Sequence, residues 1–278
     1  MIQNTNEELR GLTAIVTGAG AQGTGVGNGR AAAVLLARSG ARVALVDAHK
    51  ERLQGTTDLI DEFGGEYLCL AGDVGREADC EAIVSATVAK WGRLDILVNN
   101  VGVAGPAESA VDIDIDDWET TFRVNVSSIM LMSRFAIPHM RREGKGSIVN
   151  VSSLAGLISH PRPTYAASKG AALSLTRSLA SRHGPEGIRV NAVAPGPVYT
   201  PMVQAEGLTE EARAERAAML PLRIEGTGWD VGEAVLFLAG PRARWITGVT
   251  LPVDGGFAAD LRMTNATSVT PDSATASR

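Results

Sequence analysis

Short apolar runs alternate with longer amphipathic stretches from residue 12 to about residue 252 of this 278-residue chain. Leu12–Thr17, Arg42–Asp47, Tyr67–Ala71, Asp95–Asn99, Ser147–Ser152 and Ile188–Val193 are brief apolar stretches, each closed by Gly, Asn, Asp or Ser. Runs this short with no polar face predict strands buried on both sides. Between them, Arg30–Ser39, Lys50–Phe63, Glu77–Trp91, Asp116–Arg142 and Tyr165–His183 carry helical patterns. A last unit, helix Trp229–Ala239 and strand Thr247–Val253, ends in Asp254-Gly255-Gly256. Regular alternation of this kind implies right-handed βαβ units, so the expected class is α/β, a doubly wound parallel sheet with helices on both faces.

The segment Gly196–Gly228 breaks the rhythm. Pro197, Pro201 and Pro221 surround one short helical stretch, Glu210–Met219, which reads either as part of a mobile lid over a site or as an ordinary surface loop. Residues 258–278 are rich in Thr, Ser and Ala with little apolar periodicity. They are expected to be a disordered tail or an arm on a neighbouring subunit. Residues 1–257 then form a single domain.

Composition narrows the partner. With 45% hydrophobic and 21% charged residues, a net charge of -5 and no run of Lys and Arg, the chain lacks the basic stripe of a nucleic-acid binder. Met1–Arg10 is polar, unlike a signal peptide, and no apolar run approaches the roughly 18 residues that span a bilayer. A small-molecule partner and a cytoplasmic location are expected. Cys69 and Cys80 read as free thiols, a disulfide being the other reading. Neither they nor His49, His139, His160 and His183 have metal-ligand spacing, so no metal site is expected.

The first strand runs into Thr17-Gly18-Ala19-Gly20, and a helix opens near Gly27-Asn28-Gly29. Glycines there permit a tight turn and close approach of main chain to a pyrophosphate, whose charge the helix N-terminus can hold. Glycine also marks any awkward connection. The second strand, however, ends in Asp47, 20 residues after Gly27, near the spacing of a carboxylate that binds the adenosine ribose hydroxyls. A carboxylate accepts from a free 2′-hydroxyl and repels a 2′-phosphate, so NAD is favoured over NADP. Lys50 is the nearby residue that could reach a phosphate instead.

Tyr165 and Lys169 lie four residues apart at the start of a predicted helix, on one face. A neighbouring ammonium favours the phenolate and lowers the phenol pKa, which makes Tyr165 a candidate general acid/base. Alone, such a pair is equally a solvated helix face. Its setting, just after a strand ending in Ser152-Ser153, is what changes the reading.

Taken together, these motifs resemble the compact, single-domain short-chain dehydrogenase/reductase family from about Leu12 to Gly256. The matching features, in order, are Thr17-Gly18, Asp73-Val74, Asn99-Asn100-Val101-Gly102, Asn125, Ser152-Ser153, Tyr165 to Lys169, and Asn191 to Thr200. The resemblance implies a Rossmann-type fold and an NAD-dependent oxidoreductase that interconverts a secondary alcohol and a ketone. It implies that Tyr165 exchanges the proton with the substrate oxygen, that Ser153 hydrogen-bonds the same oxygen, and that Lys169 binds the nicotinamide ribose while tuning Tyr165. It also implies that Asn125 holds a water in a proton relay. Asp73 and Val74 would edge the adenine, and Asn100, Val101 and Gly102 would line the cofactor bed. Gly18, Gly27, Asn28 and Gly29 would meet the pyrophosphate, and Pro195, Gly196, Val198 and Thr200 the carboxamide or phosphates. A homotetramer is the family habit. Each role has a plainer competitor: Asn125 satisfying buried carbonyls, the two serines capping a strand end, Asp73 capping the helix near Glu77.

Three features depart from the family pattern. Eight residues rather than three separate Gly18 from Gly27, Val101 replaces the usual Ala, and Ser153 precedes Tyr165 by 12 residues, one fewer than in many relatives. Leu154, Ile158, Val198, Met202, Met219 and Leu220 suggest a partly apolar substrate pocket, with His160 and Arg162 adding polar contacts. The competing functions are a non-catalytic dinucleotide-binding sensor or scaffold, an NADP-dependent carbonyl reductase such as a 3-oxoacyl thioester reductase, and a sugar epimerase or dehydratase on the same fold.

Overall fold

A computed structural model describes residues 7–260 apart from 22, 24, 205 and 206, and leaves out the Met202 side chain. The elements in chain order are β1 (Thr13–Thr17), α1 (Asn28–Arg38), β2 (Arg42–Asp47), α2 (Gln54–Asp61), β3 (Tyr67–Ala71), α3 (Glu77–Trp91) and β4 (Ile96–Asn99). They continue as α4 (Ile115–Phe122), α5 (Ser128–Arg142), β5 (Gly146–Val151), α6 (Pro163–His183), β6 (Ile188–Pro195), β7 (Val198–Tyr199), α7 (Pro201–Gln204), α8 (Glu210–Ala218), β8 (Gly226–Thr227), α9 (Gly228–Ala239) and β9 (Thr250–Val253).

Among the described residues, seven strands form one sheet in the order β3-β2-β1-β4-β5-β6-β9, and every pairing is parallel. The fold is the doubly wound, Rossmann-type α/β fold that the alternation predicts. Successive residues of β1 point to opposite layers. Ala14 and Val16 join a core with α1 and α9, while Ile15 joins one with α3, α5 and α6. The Ala-rich stretch of α1 lets α9 come close: a methyl on Gly232 would stand 2.9 Å from Ala31 Cβ.

β3 and β9 differ from the expectation of strands buried on both sides. Both are edges, and both are only partly covered. β9 begins later than expected because Gly248, at φ +76°, turns the chain just before it. Pairing of Ala194 and Pro195 with β9 carries β6 past Val193. The single helix expected over Asp116–Arg142 is instead α4 and α5 joined by a π-helical turn, Arg123–Ser127, that contains Asn125. The segment 196–228 holds the small β7–β8 pair and α8, which Thr209 caps by accepting from Ala212 N at 3.2 Å. A short turn, Phe257–Ala259, opens the expected tail, and the rest of that tail, 261–278, lies outside the described residues.

The sheet order reverses between β1 and β4, whose crossovers leave to opposite faces. A crevice opens there at the carboxyl ends of the strands, where open α/β sheets bind ligands.

Candidate active site

A cleft of about 700 Å³ occupies that crevice. Residues at or just beyond the carboxyl ends of β1 to β6 line it: Gly18, Asp47, Asp73, Asn100, Ser153 and Pro195. Gly27, Asn28, Gly29, Val74, Val101, Gly102, Tyr165, Lys169, Gly196, Val198 and Thr200 also face it. Of the residues expected from sequence to be catalytic or to bind cofactor, Asn125 alone is not in its lining.

At the β1–α1 turn, Gly18 takes a left-handed φ of +65°. A side chain on Gly29 would overlap the Gly18 carbonyl and the Asn100 amide, so only glycine fits there. Asn100 holds the turn by donating from Nδ2 to the carbonyls of Thr17 and Gly18, at 3.1 and 3.0 Å. Gly27 N-caps α1 without a side-chain cap, and no acidic residue occupies the first turn. The first main-chain N–H groups of α1 therefore remain available for an anion. Asn28 Oδ1 is buried and has no hydrogen-bond partner among the described residues. A bare helix N-terminus, a cradle that a Cβ would fill and an orphaned polar atom on the cleft wall all fit a bound dinucleotide.

Beyond the turn, Asp47 is nearly buried, accepts from His49 N at 3.0 Å and forms no salt bridge among the described residues. Asp73 does not cap α3, whose N-cap is Arg76. It accepts from Gly75 N at 2.8 Å within the local turn and pairs at 3.2 Å with Arg123 from the π-helical turn. Val101, the bulkier replacement, packs partly buried against the α3–α5 core.

At the other end of the cleft, Ser153 is extended and caps a short turn through Ala155 N at 3.2 Å. Its companion Ser152 is buried and donates to the Lys169 carbonyl at 2.9 Å, so the two serines serve different partners. Pro163 at N1 starts α6. Tyr165 and Lys169 share its inner face, with Lys169 Nζ 5.7 Å from the Tyr165 ring centre.

The expected lowering of the Tyr165 pKa is not found. Burial drives it above the ordinary phenol value, and a hydrogen bond with the Ser153 side chain acts in the opposite direction. Lys169 is buried in turn, donates to the Val151 carbonyl at 3.1 Å, and is pushed down to about 8 by burial. Both groups lose hydration inside the cleft, which disfavours the charged form of each.

The Asn125 side chain pins the β4–α4 loop. It accepts from Val103 N at 2.8 Å and donates to Val103 O at 2.9 Å and to Ser168 Oγ at 3.0 Å. The plainer reading of Asn125, satisfying buried polar groups, describes what its amide does. It also fixes Gly102 beside the ammonium, where an added Cβ would meet Lys169 Nζ at 3.0 Å.

Of the six apolar residues expected at the substrate pocket, Val198 lines the cleft. Leu154 and Leu220 are core residues, with Leu220 against Gly255, while Ile158 and Met219 are exposed; the Met202 side chain lies outside the described residues. The His160 ring lies 5.4 Å from that of Tyr165, and Arg162 donates to the Gly105 carbonyl at 3.1 Å. Sequence reading missed Arg52 and Arg123, which line the cleft, and Ser168, which holds Asn125. Nothing in their spacing marked them, because each reaches its place through tertiary packing.

Cys69 and Cys80 are both free. Among the described residues, no cluster of His, Cys, Asp or Glu could hold a metal, and no helix is long and apolar enough to cross a membrane.

The family model described as enoyl-(acyl carrier protein) reductase matches residues 21–258. An uncharacterised oxidoreductase of Thermotoga maritima is 40% identical, over 89% of this chain and 98% of its own length. The 2-(R)-hydroxypropyl-CoM dehydrogenase of Xanthobacter autotrophicus is 39% identical, over 88% of this chain and 98% of its own. This chain is a member of the short-chain dehydrogenase/reductase family. A 7α-hydroxysteroid dehydrogenase, solved with NADH and 7-oxo glycochenodeoxycholic acid, superposes with a TM-score of 0.83 at 33% identity. That match covers 92% of this chain and 98% of the other. As a short-chain dehydrogenase/reductase the chain is an oxidoreductase with a small-molecule substrate, and its family binds nicotinamide dinucleotides.

Proposed function

We propose that the protein is an NAD-dependent dehydrogenase that interconverts a secondary alcohol and a ketone, with Tyr165 as general acid/base. One observation carries this reading: Ser153, Tyr165 and Lys169 stand at one end of a single cleft whose other end holds Asp47. A bound dinucleotide supplies the hydride acceptor or donor. The chain's own residues do the rest. Tyr165 Oη exchanges the proton with the substrate oxygen, and Ser153 Oγ holds that oxygen in line. Lys169, whose ammonium lies 5.7 Å from the Tyr165 ring centre, would bind the ribose hydroxyls of the dinucleotide, and Asn125 fixes the loop beside it. Val198 and Thr200 bound the cleft on the side of the 196–228 segment, which we read as a lid. The tetramer, the cytoplasmic location and the single domain over 1–257 belong to the same proposal, supported by the family resemblance.

The intact Ser153, Tyr165 and Lys169 favour catalysis over a sensor or scaffold role. A panel of secondary alcohols with NAD, followed at the absorbance band of reduced nicotinamide, tests this. Turnover of at least one alcohol is expected; dinucleotide binding without turnover of any would favour the sensor. Asp47 supports NAD over NADP, although Arg52 lines the same part of the cleft. Titration is expected to show NADH binding about tenfold or more tighter than NADPH, with Asp47→Ala narrowing the gap. Tighter NADPH binding to the wild type would reverse the assignment.

A further inference from the structure

The eight residues between Gly18 and Gly27 are the largest departure of this chain from its family's pattern, and one buried guanidinium ties together the described ends of that stretch, Ala19 and Ala21 on one side and Gly25 on the other. Arg30, in the first turn of α1, is 3% exposed and makes no salt bridge among the described residues. Burial lowers its pKa, and the charge of Asp58 offsets only part of that effect. A buried cation without a paired carboxylate is costly, and it persists where hydrogen-bond acceptors surround it.

The acceptors here are all on the loop and its neighbours. Nη1 donates to the Gly25 carbonyl at 2.6 Å, on the limb that returns to α1. Nε donates to Thr56 Oγ1 at 3.1 Å, and that hydroxyl donates to the Ala19 carbonyl at 2.6 Å, on the limb that leaves β1. Nη2 reaches the Arg52 carbonyl at 3.4 Å, which also accepts from Ala21 N at 3.3 Å. Arg52 in turn confines Gly20 against Asp47: a Cβ on Gly20 would lie 2.8 Å from Arg52 Cβ and 2.7 Å from Asp47 Oδ2. Gly55 leaves the space the guanidinium fills, since its own Cβ would stand 2.9 Å from Nη2. On the far side, a Cβ on Gly25 would stand 2.9 Å from Pro201 Cγ, so the returning limb also abuts the start of the 196–228 segment.

We propose that Arg30 is a positioning residue for dinucleotide binding: from behind the cleft it fixes both limbs of the extended turn and the segment after Asp47. The planar fork of arginine suits this because one group serves three acceptors in different directions. The inference rests on the reading of the cleft as a dinucleotide site. The two ends of the insertion, where it leaves β1 and where it returns to α1, are thereby set relative to each other before ligand arrives, and preorganisation of this kind appears as affinity.

Arg30→Met and Arg30→Lys test it, with two readouts on the full chain. Hydrogen exchange of the ligand-free protein reads the loop, and titration with NADH and with NADPH reads affinity. Arg30→Met is expected to speed exchange in peptides covering residues 19–27 and 48–56 by about tenfold or more. The dissociation constant of the preferred dinucleotide should rise by about tenfold, and kcat at saturating dinucleotide should fall far less than affinity does. Arg30→Lys, which keeps the charge without the fork, should lie between. Exchange unchanged, together with a dissociation constant within about twofold of wild type, would overturn the proposal. A loss of thermal stability without either change would mark Arg30 as a packing residue only and would equally overturn it. If Arg30→Met does not fold, Gly55→Ala, which displaces the guanidinium, should shift both readouts in the same direction, and no shift would count against the clasp. If the wild type binds neither dinucleotide, the proposed function fails, while exchange in the two peptides still decides the role of Arg30.

Discussion

Replacing Tyr165 by Phe is expected to lower kcat for alcohol oxidation by about 10²–10⁴-fold, the range a positioned general acid/base contributes. Affinity for dinucleotide should change by no more than about threefold. Phe keeps the ring that packs 5.4 Å from His160 and 5.7 Å from Lys169 Nζ, and removes only the hydroxyl. Ser153 remains, but an aliphatic hydroxyl is too weak an acid to replace the phenol. The direction of the pH dependence follows from burial. Tyr165 holds its proton above the ordinary phenol range, so the protonated form that donates to a ketone dominates at neutral pH. Oxidation of an alcohol needs the phenolate and should quicken as pH rises, while ketone reduction should slow. In Tyr165→Phe the residual rates should lose this dependence. Undiminished turnover in that variant, measured by steady-state kinetics at saturating cofactor, would remove Tyr165 from the chemistry.

Replacing Lys169 by Met is expected to abolish useful turnover and yet stabilise the ligand-free protein near neutral pH. In the folded chain the Lys169 pKa falls from 10.5 to about 8 because the ammonium is buried. Between those values the unfolded chain binds more protons than the native one, so stability rises with pH through that window. Below about pH 8 the whole penalty of burying the charge is present, on the order of 3 kcal/mol before the lost hydrogen bond to Val151 is set against it. Methionine removes the penalty and fills a similar volume. Thermal unfolding at pH 7 should therefore show the variant a few degrees above wild type, with the difference shrinking as pH rises toward 10.5. A variant less stable than wild type at pH 7 would show that the contacts of Lys169 outweigh its desolvation. Such an opposition is common where a site holds a charge its function requires.

Much of the fold was legible because strands of a parallel sheet are continuous apolar runs between helices of a different period. β2, β3 and α3 lie where the pattern placed them, residue for residue. The interruption at Arg123–Ser127 left no mark in that pattern, since a π-turn shifts the helical register by one residue without exposing its apolar face. Asn125 was found by resemblance, and its hydrogen bonds to Val103 and Ser168 depend on two other elements. The acidity of Tyr165 was misread for a related reason. The i, i+4 spacing places the ammonium near the ring, whereas the phenol pKa is set by burial, which raises it against the Ser153 hydrogen bond and arises from packing around both groups. The extended turn was visible as a departure in length, but the guanidinium that holds it could not be told from any other arginine near a helix start.

The proposed chemistry requires Tyr165 Oη and a nicotinamide ring to meet at the same substrate carbon–oxygen bond. A crystal structure with NADH bound measures this directly. The expected result is a ring in the half of the cleft beside Ser153 and Lys169, its reactive carbon separated from Tyr165 Oη by the space for one carbonyl group, with reacting atoms roughly 3–3.5 Å apart on each side. A ring bound away from Tyr165, with adenosine remote from Asp47, would contradict the proposed chemistry while leaving the fold intact.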